Sequence, residues 1–411
     1  MKLLNLISRI IVGAVFIFSG FVKAVDPLGL TYKFSDYFIA FGIQFLEPIA
    51  LPLAILLSSV EFLIGISLFF GYKYKLAAWI LAIFMSFFTV LTFILALTNP
   101  VSDCGCFGDA IILTNWQTFF KNLCLLPFTF VIFIYRKEVS GLYTSLKEWI
   151  FLGIFAIVII ILQIHSLRHL PPVDFRPYSI GTYIPDEMVV PEGAPIDEYK
   201  TYLYYEKDGK VKEFTEENFP WQDTTWKFVE SKHVLIKKGY EPPIHDFTMI
   251  DEYDYDHSEI VLADEGYTLL LITDNLSKAN KEALQYASKL AIAAESNNWS
   301  FYCLNASSES EVDEVSRSLK LDYQCFTTDE IALKTIIRSN PGLMLIKEGI
   351  IIDKWHFRDF PAPEELNNTF MAQSLTSLRK DSERSTIFYF IAFIFLIALS
   401  IRLSFPVRSL E

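Results

Sequence analysis

Cysteine is scarce in this chain, five among 411 residues, and no two are spaced as Cys-x-x-Cys. A conventional dithiol centre of that spacing, opening a helix that lowers the thiol pKa, therefore has no residues to build it. Histidine is scarce too, six in all. No cysteine pair has the further Cys or His neighbours that a four-ligand zinc site needs, so no metal site is expected. Basic charge is in deficit, with 35 Lys and Arg against 48 Asp and Glu and a net of −13. That is the wrong sign for a nucleic-acid partner. No internal repeat or low-complexity tract occurs, and no apolar run between 170 and 384 is long enough to cross a bilayer.

What the chain has in excess is apolar and aromatic residues: 52% hydrophobic and 16% aromatic, with 37 Phe. Soluble proteins average about 45–50% apolar. The excess falls in blocks of roughly bilayer-spanning length, at 4–24, 49–71, 77–98, 116–135, 149–166 and 386–404. The first block has the basic start of a signal peptide, but Arg9 interrupts it and its length is that of a full span, so a retained helix is expected. Residues 25–47 mix aromatics with charges and suit the membrane interface. Lys2, Arg9, Lys73, Lys75, Arg136, Lys137, Lys147, Arg402 and Arg408 fall on one side if six spans alternate. The positive-inside rule makes that side cytoplasmic. Both termini are then cytoplasmic and residues ~167–385 lie outside. Residues 170–384 carry 39 acidic and 22 basic side chains, a net of −17.

Within the spans, Glu61 is costly at mid-membrane and must be protonated, paired or turned to a cavity. Arg9 is one available partner, though close to the cytoplasmic face. Gly13, Ser19 and Gly20 are small enough to let a second helix approach. After the third span comes "DCGCFGD", residues 103–109, on the side where disulfides persist. Cys104 and Cys106 flank Gly105, which tolerates the backbone angles a small ring requires. A redox pair, a metal clip and a structural turn are the three readings. Only Asp103 and Asp109 are at hand to complete a metal set. Cys124, two turns into the fourth span, is a candidate resolving thiol or an inert buried one.

Arg9, Gly13, Ser19-Gly20, Lys23, Asp26-Pro27 and Gly29, with Glu61 and the Cys104-Gly105-Cys106-Phe107-Gly108 motif, resemble the MauE/DoxX family over the first ~140 residues. The cysteine motif, with its Phe107-Gly108 tail, resembles that of the MauE branch. The resemblance implies a four-helix membrane domain over 1–140 whose bundle motif includes Arg9, Lys23 and Asp26. It also implies a bacterial inner membrane location, a link to methylamine dehydrogenase maturation in the MauE branch, and quinone-linked chemistry in the DoxX branch. The large departure is some 270 further residues.

Those residues divide, on pattern, into a fifth membrane helix at 148–168, a β-rich extension at 170–240, an α/β domain at 241–365 and a sixth membrane helix at 386–404. "EKDGKV" is a hairpin signal in the extension. From "YTLLLITD" onward strands and helices alternate, which indicates a largely parallel sheet. The order resembles a thioredoxin-like fold of the TlpA or peroxiredoxin type, with Pro341 at the cis-proline position. Where such proteins place Cys-x-x-Cys, this chain reads "DNLSKAN". Cys303 and Cys325 fall on strands that are neighbours in that fold and are candidates for a disulfide or for two buried thiols.

The expected fold is therefore a multi-pass helical membrane bundle, an exported thioredoxin-like domain and a C-terminal membrane helix. The leading functional expectation is thiol–disulfide chemistry or maturation of exported proteins. Cys104 and Cys106 would act, Glu61 and a quinone would relay electrons, and an exported or thioredoxin-like protein would be the partner. The alternatives are a membrane scaffold whose α/β domain binds a client and, with least support, a small-solute transporter using Glu61, Arg9 and Lys23.

Overall fold

The computed structural model describes residues 2–101, 103–139, 144–237 and 239–366. The sixth span expected at 386–404 lies outside them. The described residues fall into two compact units, 183–247 and the remainder.

The first unit begins with six helices: α1 (Lys2–Val25), α2 (Pro27–Ala40), α3 (Ala50–Phe70), α4 (Tyr74–Thr98), α5 (Asn115–Ile134) and α6 (Ser145–Arg168). All but α2 are long and apolar enough to cross a membrane. Each boundary has a local cause. Asp26 caps α2 by accepting from the Gly29 N–H at 2.9 Å, with Pro27 in the first turn. Gly71, at φ +79°, closes α3 in the left-handed conformation. Thr114 and Gln117 form a reciprocal capping box at the start of α5. Helices α1 and α3 cross closely because three glycines face the contact. A Cβ on Gly20 would stand 2.4 Å from the Phe62 nitrogen, and one on Gly65 would stand 2.5 Å from the Ile17 nitrogen.

A connector, 169–182, leads from α6 into an α/β fold. Asp174 receives Lys354 Nζ at 2.7 Å and Arg176 Nε at 2.7 Å. Burial alone would raise the Asp174 carboxyl, but these two cations hold it down to about 2, while burial lowers Lys354 to about 8. Gly181 and Thr182 exchange backbone bonds with Ile351. The α/β elements are α8 (Ser258–Leu262), β4 (Tyr267–Thr273), α9 (Lys281–Ser296), β5 (Ser300–Asn305), α10 (Glu309–Leu319), β6 (Gln324–Thr327), α11 (Glu330–Ile336), β7 (Gly342–Lys347) and β8 (Ile350–His356). They form one sheet of order β6-β5-β4-β7-β8. β4, β5 and β6 are parallel, and β7 and β8 are antiparallel additions. Buried Leu269, Leu271, Leu343 and Leu345 pack with Leu284, Ala287 and Leu290 of α9. The Asn340–Pro341 peptide is cis.

The second unit, 183–247, holds α7 (Ile184–Met188) and an antiparallel sheet of β1 (Glu198–Lys207), β2 (Lys210–Thr215) and β3 (Lys227–Lys237), ordered β2-β1-β3. Asp208 and Gly209, both at positive φ, make the β1–β2 turn.

Candidate functional site

The α4–α5 loop brings two thiols together. Cys104 Sγ and Cys106 Sγ lie 3.2 Å apart, and both are free. Gly105 between them sits at φ +65°, a conformation glycine adopts without strain. Asp103 Oδ1 accepts from the Gly105 N–H at 2.9 Å, and Asp103 Oδ2 pairs with Lys33 of α2 at 2.6 Å. Tyr37 of α2 donates to the Cys104 carbonyl at 3.0 Å. Phe107 packs on Phe18, with Lys121 Nζ 4.5 Å from its ring centre.

Beneath the loop lies a buried ion pair. Lys23 Nζ of α1 reaches both Glu61 oxygens of α3, at 2.9 and 2.8 Å, and donates to Ser19 Oγ at 3.2 Å. The Ser19 hydroxyl is 2.9 Å from Glu61 Oε2 and 2.8 Å from the Cys106 carbonyl oxygen, so its single proton is shared between two acceptors. The cost of Glu61 at this depth is thus met by Lys23, not by Arg9. Arg9 lies two-thirds of the way back along α1, where its Nε donates to the Leu68 carbonyl and its guanidinium covers the Tyr74 ring at 4.9 Å.

Thiols and ion pair line one cavity of about 570 Å³, walled mainly by Phe16, Phe34, Phe38, Phe84 and Phe88. Its wall also includes Leu56, Ile83 and Phe87, which are 59%, 66% and 61% exposed on the outer surface of α3 and α4. The cavity therefore opens sideways, toward where lipid would stand. Lys121, Asn122 and Leu125 face it from α5, but Cys124 is not in the wall and is exposed on another side of that helix. The resolving-thiol expectation for Cys124 has no support in this placement.

The two thiols differ chemically. The hydrogen bond from Cys104 and the nearby Lys121 and Lys23 charges outweigh burial and bring Cys106 down to about 6. Cys104, as donor in that bond and buried, is pushed well up. Burial likewise pushes up the Tyr37 phenol.

Elsewhere, Cys303 and Cys325 are register partners on β5 and β6, and both thiols are free rather than joined. Asp274 is the residue after β4. Burial raises its carboxyl. No cluster of three or more metal-ligating side chains occurs among the described residues. Sequence reasoning read Ser19 as a packing residue and did not single out Lys33, Tyr37 or Arg338. Arg338 reaches the site from the α/β domain, bonding Asp26 at 2.9 Å and Asp109 at 3.1 Å.

Five helices long and apolar enough to cross a bilayer define a multi-pass membrane protein, and α1, α3, α4 and α5 of them line the thiol-bearing cavity. Residues 1–135, which hold α1 to α5, match the family described as "Methylamine utilisation protein MauE". Residues 199–238, in the three-stranded unit, match "Domain of unknown function (DUF8463)". No curated protein matches the chain.

Proposed function

We propose that this protein performs thiol–disulfide exchange for exported proteins at the bacterial inner membrane, with Cys104 and Cys106 as the exchanging pair. One observation carries the reading: two thiols 3.2 Å apart, one of them shifted toward thiolate, open into the same cavity as a buried Lys–Glu pair. In the oxidised state the pair forms a disulfide. A client thiolate attacks one sulfur and releases the other, giving a mixed disulfide. The client's second thiol then displaces the pair, leaving the client oxidised and Cys104 and Cys106 as two thiols, with two electrons gained.

The cavity also fits a quinone. It lies in the roughly 300–1,000 Å³ range of small-molecule sites, has aromatic walls, opens toward lipid and has polar groups at one end. A quinone held there would supply a two-electron, two-proton acceptor for the dithiol. The chain's own part is to keep water out with its Phe walls and to hold a proton between Lys23, Ser19 and Glu61. Ser19 would position the Cys106 backbone. The sheet order, the cis Pro341 and the absent cysteines at Asp274 support reading residues 241–365 as a thioredoxin-like domain that recognises rather than reacts. Lys73, Lys75, Arg136, Lys137 and Lys147, at the loops opposite the cysteine loop, favour an outward-facing pair with both termini cytoplasmic.

A scaffold that binds a client through its α/β domain is the second reading, favoured by the lack of any thiol at Asp274. Trapping cellular thiols with a heavy maleimide, with and without quinone depletion, separates the two. Exchange requires the pair to cycle and to accumulate reduced when quinone is depleted. If Cys104 and Cys106 stay reduced throughout, and C104S and C106S leave envelope disulfides unchanged, the scaffold reading stands.

A further inference from the structure

The α/β domain does not hang free of the cysteine loop. Arg338, two residues past α11 and 5% exposed, is held between two carboxylates of the bundle. Its Nε lies 3.1 and 2.9 Å from the Asp26 oxygens, and its Nη2 lies 3.1 Å from Asp109 Oδ2, three residues after Cys106. The guanidinium also covers the Tyr32 ring of α2 at 5.3 Å, beside Lys334 Nζ at 5.0 Å, and Nη1 donates to the Lys334 carbonyl. Gly29 lies against the seated pair. A Cβ on Gly29 would stand 2.4 Å from Asp26 Oδ2 and 2.9 Å from Arg338 Nη2. The connector adds a second tie, since Arg176 Nη1 donates to the Thr335 carbonyl of α11 at 2.9 Å.

These contacts flank the loop that carries the thiols. Gly105, Gly108 and Asp109 share a small gap with Pro171, Val173, Phe175 and Arg176 of the connector. Cys104 and Cys106 line the bundle cavity, which Gly105 also borders. While Arg338 is seated, the thiols face the bundle cavity, and the connector and the α/β domain close on the same loop at Gly105, Gly108 and Asp109.

We propose that Arg338 is a latch: seated between Asp26 and Asp109, it closes the α/β domain over the cysteine loop, and its release admits thiols of exported proteins to Cys104 and Cys106. The latch rests on the exchange reading for its purpose but not for its test. Seated, the pair reacts only with what enters from the cavity. Released, Asp109 and the loop that carries Cys106 are free of the α/β domain. Two carboxylates on one guanidinium strengthen the latch, because opening strands the buried Arg338 charge.

The test uses the full chain in lipid nanodiscs, reduced, with labelling of Cys104 and Cys106 read on their peptide by mass spectrometry. Two probes are compared: a bulky water-soluble polyethylene-glycol maleimide and a small lipid-soluble maleimide. R338Q is expected to raise labelling by the bulky probe at least about tenfold, as befits loss of one partner from a buried pair, with less than about threefold change for the lipid-soluble probe. Cys303, in the α/β core, reports integrity and must stay unlabelled. Where R338Q exposes Cys303, D109N is used instead, since it frees the loop while Arg338 keeps Asp26. An intermediate rise in the bulky-probe rate for D109N supports the latch. A wild-type rate in the variant that keeps Cys303 protected overturns it. No turnover is needed, so this outcome is independent of whether the pair cycles in cells.

Discussion

Ser19 Oγ of α1 stands 2.8 Å from the backbone carbonyl of Cys106, which joins the buried Lys23–Glu61 pair to the cysteine loop through one hydroxyl. The loop is thereby set from three directions: by Ser19 from within the bundle, by Lys33 and Tyr37 from α2, and by Arg338 from the α/β domain. Its two thiols are held in unlike surroundings as a result.

That inequality predicts a pH profile. Cys106 lies at about 6 and Cys104 well above the ordinary thiol value. Between pH 5 and 7 Cys106 passes from thiol to thiolate, so its alkylation by iodoacetamide should rise over that window and level off above it. Cys104 should stay nearly inert there. C104A removes the S–H donor that holds the Cys106 thiolate, so the Cys106 midpoint should move up toward the ordinary value of about 8.5. Peptide-resolved mass spectrometry of alkylation rates measures both. A wild-type Cys106 midpoint already near 8.5 would refute the assignment.

The sequence reveals part of this site and hides the rest for physical reasons. Glu61 announces itself because a carboxyl in an apolar run is expensive wherever it points. The Cys104–Gly105–Cys106 spacing is local, so its geometry can be foreseen. The partner of Glu61 is a question of how α1 and α3 cross, which no local pattern states. Arg9 and Lys23 are 14 positions apart, about 21 Å along a helix, and only the crossing chooses between them. Arg338 is harder still, as it meets Asp26 across 312 residues of chain. Its one sequence signal, a basic residue before Pro341 in an acidic domain, is shared by many surface arginines. The alternation of strand and helix from 267 onward was legible because burial of the central strands leaves unbroken apolar runs such as "LLLI". The three-stranded unit was less so, since its strands are mostly exposed and carry no clear core face.

The Lys23–Glu61 pair predicts a thermodynamic cycle. E61M leaves Lys23 unpaired in the bundle interior, and K23M does the same to Glu61. Each single change should cost about 3–5 kcal/mol. The double replacement K23M/E61M removes both charges and should recover most of that loss, giving a large coupling energy. Thermal unfolding of the detergent-solubilised protein measures all four corners. Additive single effects would show that the two residues are not paired.

The α1–α3 crossing predicts a graded glycine series. A methyl group on Gly20 would fall 2.4 Å from the Phe62 nitrogen, and one on Gly65 would fall 2.5 Å from the Ile17 nitrogen. Both neighbours are helix backbone and cannot turn aside, so the helices must separate. Gly13 is less severe, at 3.1 Å from the Phe69 nitrogen, and Gly153 of α6 has nothing within 4 Å. G20A and G65A should therefore destabilise the bundle by about 1–3 kcal/mol, the usual cost of overpacking, with G13A smaller. G153A should be neutral or slightly stabilising, because alanine is the better helix former. Separation of α1 from α3 also lengthens the Ser19–Glu61 and Lys23–Glu61 contacts. G20A should accordingly disturb the cysteine loop and shift the Cys106 alkylation midpoint, whereas G153A should leave it in place. A Cys106 midpoint in G20A equal to wild type, in a folded protein, would mean that the ion pair and the thiols are not coupled through Ser19.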